Sequence, residues 1–176
     1  MKSILSAFYP SLGARSFWML VFFDTELSDL EPGCRLISIG LVSERGHEFY
    51  AELSDTYQPN QCSAFVQTEV LPLLEGGSAQ LTWKHLQSHL RNWIEALGQP
   101  VTLACDSLSW DWPWIPKLFP SSAEWPHNLA PRPEHLKQGD EFSQAVEECL
   151  LSGRRHHALD DARANRAAWM ATRQGK

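Results

Sequence analysis

The sequence predicts an α/β domain with a mixed central sheet and helices on both faces. Three features carry that reading. Three strand-like runs joined by short turns come before any helical pattern. The apolar spacing changes from strand-like to helical near residue 62. One further buried strand follows near residue 101, and helices fill much of the remaining chain.

The first strand is read over residues 17–24, where Phe17-Trp18-Met19-Leu20-Val21-Phe22-Phe23 runs without a polar break before Asp24. Its length and its aromatic and branched side chains suit a buried strand. Glu31-Pro32-Gly33 marks a turn. Residues 35–42 and 47–52 read as the second and third strands, with Arg45-Gly46 as the hairpin turn between them. Short connections of this kind join antiparallel neighbours. From Cys62 to Leu74, apolar residues recur at Phe65, Val66, Val70, Leu71 and Leu74, a helical spacing that Gly76-Gly77 ends. A second helix opens at Thr82, with Leu86, Leu90, Trp93, Ile94 and Leu97 on one face and Gly98 as its stop. Residues 100–105 form the fourth strand, and a helix is expected from Trp110 to Leu118. The proline-rich stretch 119–137 reads as a long loop around one short strand. Residues 140–151 and 158–172 complete the helices.

With 176 residues and 43% hydrophobic content, the chain fits one domain with a substantial core. The net charge of −6 argues against a broad basic surface that coats nucleic acid. It is compatible with an enzyme that grips one strand end, because bound cations offset a carboxylate cluster. The cysteines, Cys34, Cys62, Cys105 and Cys149, show no C-x-x-C spacing and read as reduced thiols of a cytoplasmic protein. The apolar run after Met1-Lys2 is short and broken by Pro10, Gly13 and Arg15, so it does not read as a signal peptide. Residues 1–18 are expected to be an extension to a single domain over 19–176. No stretch is apolar enough to span a membrane.

Two motifs carry chemistry. Asp24 and Glu26 are two apart at the end of an apolar strand, so both project from one face. Like charges held together in a partly buried place call for a cation between them. Near the other end, His156-His157-Ala158-Leu159-Asp160-Asp161-Ala162 offers a histidine five positions before a carboxylate at a helix start. That spacing selects His156 with Asp161. It leaves His157 as a structural or solvent neighbour and Asp160 as an outward or capping acid. Between the two motifs, Asp106 ends the fourth strand and Asp111 opens the next helix among Trp110, Trp112 and Trp114. Either can supply a carboxylate.

The ordered set Phe-Asp-Thr-Glu, Trp-Asp-Trp-Pro and His-His-Ala-Leu-Asp-Asp-Ala resembles the DEDDh 3′–5′ exonucleases of the RNase H-like superfamily, in particular their small bacterial and phage exoribonuclease-like branch. The resemblance runs from about Met19 to Trp169. It implies an RNase H-like sheet and assigns Asp24, Glu26, Asp111 and Asp161 as metal ligands, with His156 as general base. Many members carry an asparagine or another polar residue shortly before the second aspartate; here that run holds Asp106. Four carboxylates can hold two Mg²⁺ or Mn²⁺ ions. The implied substrate is the 3′ end of a single-stranded nucleic acid, RNA favoured, with nucleoside 5′-monophosphates as product. Leu27 is expected beside the terminal base, and a homodimer is expected by the same resemblance. Trp110, Trp112 and Trp114 read as core or as stacking surfaces, and Arg154-Arg155 as a phosphate attractor or a solvated pair. The competing readings are a DNA-directed exonuclease, a catalytically silent nucleic-acid-binding module on the same fold, and a tryptophan-rich protein-interaction domain.

Overall fold

The structure, a computed structural model, describes residues 18–136 and 139–174; of the expected extension only Trp18 falls among them. Six strands form one sheet: β1 (Met19–Leu27), β2 (Leu36–Ser43), β3 (Glu48–Leu53), β4 (Gln80–Leu81), β5 (Val101–Cys105) and β6 (Glu134–His135). Their order is β4-β3-β2-β1-β5-β6. β1, β2 and β3 pair antiparallel, whereas β4, β5 and β6 each join their neighbour in parallel. The helices are α1 (Trp83–Ala96), α2 (Trp114–Leu118), α3 (Asp140–Leu150) and α4 (Ala158–Gln174). Among the described residues, no helix is long and apolar enough to cross a membrane.

Strand period divides β1 between two cores. Val21 and Phe23 pack with Leu86, Leu90 and Ile94 of α1 on one face. Phe22 points the other way, toward Val42, Ala104, Phe142 of α3, and Ala162 and Ala168 of α4. Each large apolar side chain buried in this way stabilises the fold by about 1.5–3 kcal/mol. Helices therefore cover both faces, as expected from the order of elements. α1 starts cleanly because the Thr82 hydroxyl accepts the His85 N–H at 3.3 Å. The β2–β3 turn uses Gly46 at φ +86°, which glycine adopts without a Cβ penalty.

Four elements differ from expectation. β1 runs on to Leu27 rather than stopping at Asp24, so Asp24 and Glu26 both lie within its last half. The stretch 62–74 is not one α-helix. Val66–Val70 winds as a single wide turn and Leu71–Leu73 as a tight one, with Pro72 at the join. A proline there has no N–H to continue the ladder and crowds the preceding turn. α2 begins at Trp114, after turns over 107–113, so Asp111 precedes the helix. β4 was not expected; it is two residues long and exists by pairing with β3.

Helix α4 lies almost flush on the sheet at one point. A Cβ at Gly40 would stand 2.2 Å from Leu159 N and 2.4 Å from both Ala158 C and Leu159 Cα. Gly40 is the register partner of Asp24 across the β1–β2 pair. The missing side chain thus lets the start of α4 descend onto the strand pair that carries the acidic motif.

Candidate active site

β1 delivers Asp24 and Glu26 at strand period from Phe22, and so to the face that α4 covers. α4 delivers Asp161 from its first turn. In the segment before it, His156 has φ +65°, a left-handed conformation that costs an L-residue roughly 1–2 kcal/mol. That conformation accompanies a specific bond: the His156 N–H donates to Asp161 Oδ2 at 2.9 Å. The five-residue spacing is therefore a physical contact. Ligand atoms of Glu26, His156 and Asp161 all lie within 4.8 Å of one another. The ring of Phe65 stands edge-on to the His156 imidazole at 5.0 Å.

A second group adjoins the first. Oxygens of Asp24, Asp106 and Asp111 lie within 4.8 Å of one another. Asp111 is only 2% exposed. Its Oδ1 accepts the Thr25 N–H at 3.2 Å and the Thr25 hydroxyl at 2.7 Å. Its Oδ2 is buried with no hydrogen-bond partner. A buried carboxylate oxygen left unsatisfied is costly, and a cation removes the cost. Asp111 and Asp106 were alternatives in the sequence; the structure brings both to the site. Asp106 is the member that lies outside the set implied by the motif resemblance. Its signal was strand parity, since Ala104 faces α4 and Asp106 is two residues on.

The electrostatics follow from packing like charges together. Burial, and then Asp111, Glu26, Asp161 and Asp106, hold the Asp24 carboxyl well above the usual aspartate range. Burial with Asp161 and Asp111 pushes Glu26 up to about 8. Burial raises Asp111 to about 7 against the opposing Thr25 bonds. Asp161 rises to about 6 by burial, although the His156 N–H and Arg155 oppose this. His156 moves the other way: burial and the neighbouring Arg155 lower it below an ordinary histidine. Five carboxylates, one imidazole and an orphaned buried oxygen make a donor set that fits hard divalent cations with oxygen preference.

A cavity of about 550 Å³ opens over both groups, with Leu27, Phe65, Val70 and Trp110 on its apolar side. A second cavity of about 320 Å³ shares Asp24, Asp106, His156 and Asp161 and reaches α3 at Phe142 and Val146. His157 lies away from both. It is 1% exposed, stacked on Tyr50 at 4.4 Å between ring centroids, with Nε2 3.5 Å from Glu75. Asp160 is held by Arg154 at 2.9 Å and by Arg163. The basic pair is engaged in ion pairs, Arg154 with Asp160 and Glu75, and Arg155 with Glu147. Of the three tryptophans, Trp110 lines the cavity, Trp112 packs against Trp125, and Trp114 is buried against Trp83. All four cysteines are free thiols.

The fold is shared with solved exonucleases. It matches exonuclease I from Methylocaldum szegediense with a TM-score of 0.56 and 17% identity, over 90% of this chain and 41% of that one. It matches the nuclease domain of 3′hExo, a DEDDh family member solved with rAMP, with a TM-score of 0.57 and 15% identity, over 92% and 95% of the two chains. The chain belongs to the Rv2179c-like family, described as the 3′-5′ exoribonuclease Rv2179c-like domain, whose family model matches residues 19–172. The Mycobacterium tuberculosis (strain ATCC 25618 / H37Rv) protein named 3′-5′ exoribonuclease Rv2179c is 41% identical over 69 residues, 39% of this chain and 40% of that relative. The 3′-5′ exoribonuclease MT2234.1 of M. tuberculosis strain CDC 1551 / Oshkosh gives the same figures. The matched stretch thus spans 40% of the length of each curated relative.

Proposed function

We propose that this chain is a divalent-metal-dependent 3′–5′ exonuclease that trims single-stranded nucleic acid, RNA favoured, to nucleoside 5′-monophosphates. The observation that carries the reading is the meeting of two triads of ligand groups in one cavity, with Asp111 Oδ2 buried and unpartnered among them. Asp24, Glu26, Asp111 and Asp161 would hold two Mg²⁺ or Mn²⁺ ions. Such ions, when bound, supply acidity to the attacking water and charge neutralisation at the leaving 3′ oxygen. His156 takes the proton from that water as general base. Its lowered pKa keeps the ring neutral, and so able to accept, near pH 7. Thr25 fixes the Asp111 carboxylate in place through two hydrogen bonds. Leu27 and the apolar side of the cavity receive the terminal base.

Residues 19–176 are the unit to which the activity is assigned, and residues 1–18 are read as an extension; the family match over 19–172 supports this. The family description and the names of the relatives support RNA. A homodimer acting in the cytoplasm belongs to the same reading. Digestion of 5′-labelled single- and double-stranded RNA and DNA with Mn²⁺ tests the substrate. Single-stranded RNA should shorten fastest. Faster loss of DNA would favour the DNA-directed alternative, and no shortening of any substrate the silent binding module.

A further inference from the structure

Strand β5 ends at Cys105, and Asp106 follows directly. β1 and β5 run parallel with Phe22 beside Ala104. Two residues further along each strand, the same register brings Asp24 and Asp106 side by side on the face under α4. Oxygens of both, with one of Asp111, close a triad within 4.8 Å. Without Asp106 that group would offer two carboxylates; with it, three. Asp111 Oδ1 is taken by Thr25, while Asp111 Oδ2 is buried and unpartnered at this triad. Asp106 is itself oriented. Asn165 of α4 is 3% exposed and donates from Nδ2 to Asp106 Oδ1 at 3.3 Å. Asn165 sits one turn after Asp161, so one helix face serves both triads.

We propose that Asp106 is a fifth carboxylate ligand of the site, holding a divalent cation together with Asp24 and Asp111, and that Asn165 is its positioning residue. The proposal rests on the metal-dependent reading above. It exceeds the four-carboxylate set that the motif resemblance assigns. It also explains why an acid is tolerated beside Asp24 and Asp111. A fifth negative charge packed there is repulsive in the metal-free protein and becomes useful when a cation is shared. Asn165, an uncharged donor, fixes the orientation of Asp106 without competing for its charge as an arginine would.

The test is a titration of the metal-free full chain with Mn²⁺, following free Mn²⁺ by electron paramagnetic resonance until every bound ion is saturated. Asp106→Asn should weaken one bound Mn²⁺ by about tenfold or more, since even groups that only support a ligand cost 10–100-fold. Thermal melting in EDTA checks that the variant folds; it should melt no lower than wild type, because a like charge has gone. Asp106→Ser repeats the titration without an amide in the place of the carboxylate. Asn165→Ala should weaken Mn²⁺ in the wild-type background and add nothing on top of Asp106→Asn, a coupling that a general structural role would not give. Wild-type Mn²⁺ affinity in both Asp106 variants would overturn the proposal, and equal losses for Asn165→Ala in the two backgrounds would overturn the positioning role. A wild-type protein that binds no Mn²⁺ would instead sink the metal reading itself.

Discussion

Gly40→Ala tests how the two halves of the site are brought together. β2 passes beneath the first turn of α4 at Gly40, opposite Asp24. The added methyl would stand 2.2 Å from Leu159 N and 2.4 Å from Ala158 C and Leu159 Cα. Ordinary carbon contacts begin near 3.5 Å, so the start of α4 must retreat by roughly 1 Å. All three atoms are backbone, and no rotamer change relieves the clash. His156 and Asp161 travel with α4, whereas Asp24 and Glu26 stay with β1. A displacement of about 1 Å between reacting groups costs on the order of 10²-fold in rate. Overpacking of this kind costs about 1–3 kcal/mol of stability. Each kcal/mol lowers the melting temperature by about 2–4 °C in a chain of this size. Single-turnover shortening of a 5′-labelled oligoribonucleotide reads the first effect, and thermal denaturation the second. A Gly40→Ala protein with wild-type rate and wild-type melting would refute the close approach of α4 to β2 as the device that assembles the site.

His156→Ala should lose on the order of 10²–10⁴-fold in rate, the usual size of general-base catalysis, and Mn²⁺ binding by the carboxylates should persist in the same titration. His157→Ala should instead lower the melting temperature with little loss of rate, because its ring is buried against Tyr50; the reverse pattern would overturn the assignment of the two histidines. Thr25→Val should leave Asp111 Oδ1 without its hydroxyl donor and cost about 1–3 kcal/mol, with Thr25→Ser restoring most of it, both read by denaturant unfolding. The metal dependence of stability should change with pH. Asp161, Asp111 and Glu26 titrate in the folded, metal-free protein at about 6, 7 and 8, above their unfolded values. Groups raised in this way favour the folded state at low pH and lose that contribution as pH rises through 6–8. A bound cation needs the same groups deprotonated. The gain in melting temperature from Mg²⁺ over EDTA should therefore grow from pH 5 to pH 8, and a pH-independent gain would place the ion elsewhere.

Much of this architecture was readable from local pattern. The apolar run before Asp24 identified β1, and strand period put Asp24 and Glu26 on one face. The five-residue spacing separated His156, whose N–H reaches the Asp161 carboxylate, from His157, whose ring is buried against Tyr50. The parts that were not readable depend on distant partners. Gly40 shows its purpose only against Leu159, more than a hundred residues away. Arg154 pairs with Glu75, 79 residues away, a contact that its sequence neighbours do not specify. β4 is too short to carry a period and forms because β3 lies beside it. The broken helix over 62–74 was partly visible, since Pro72 sits within the apolar spacing. Of the five residues on that spacing, Val66 and Val70 are buried, Leu71 and Leu74 are half-buried and Phe65 is exposed, because the winding is not that of one α-helix. Asp106 lies outside the acidic motifs, and only strand parity marks it. The strand period that located Asp24 locates Asp106 equally well once β5 is known to end at Cys105.

The proposed 3′–5′ exonuclease activity requires the clustered acids to hold cations. The most direct measurement follows a 5′-labelled single-stranded oligoribonucleotide with Mn²⁺, in EDTA, and with the Asp24→Asn variant in Mn²⁺. The expected product is a ladder that retains the 5′ label and shortens one nucleotide at a time. It should disappear in EDTA, and Asp24→Asn should abolish it while the variant still melts cooperatively. Release of the 5′ label as a mononucleotide, internal cleavage, or equal activity in EDTA would contradict the proposed activity.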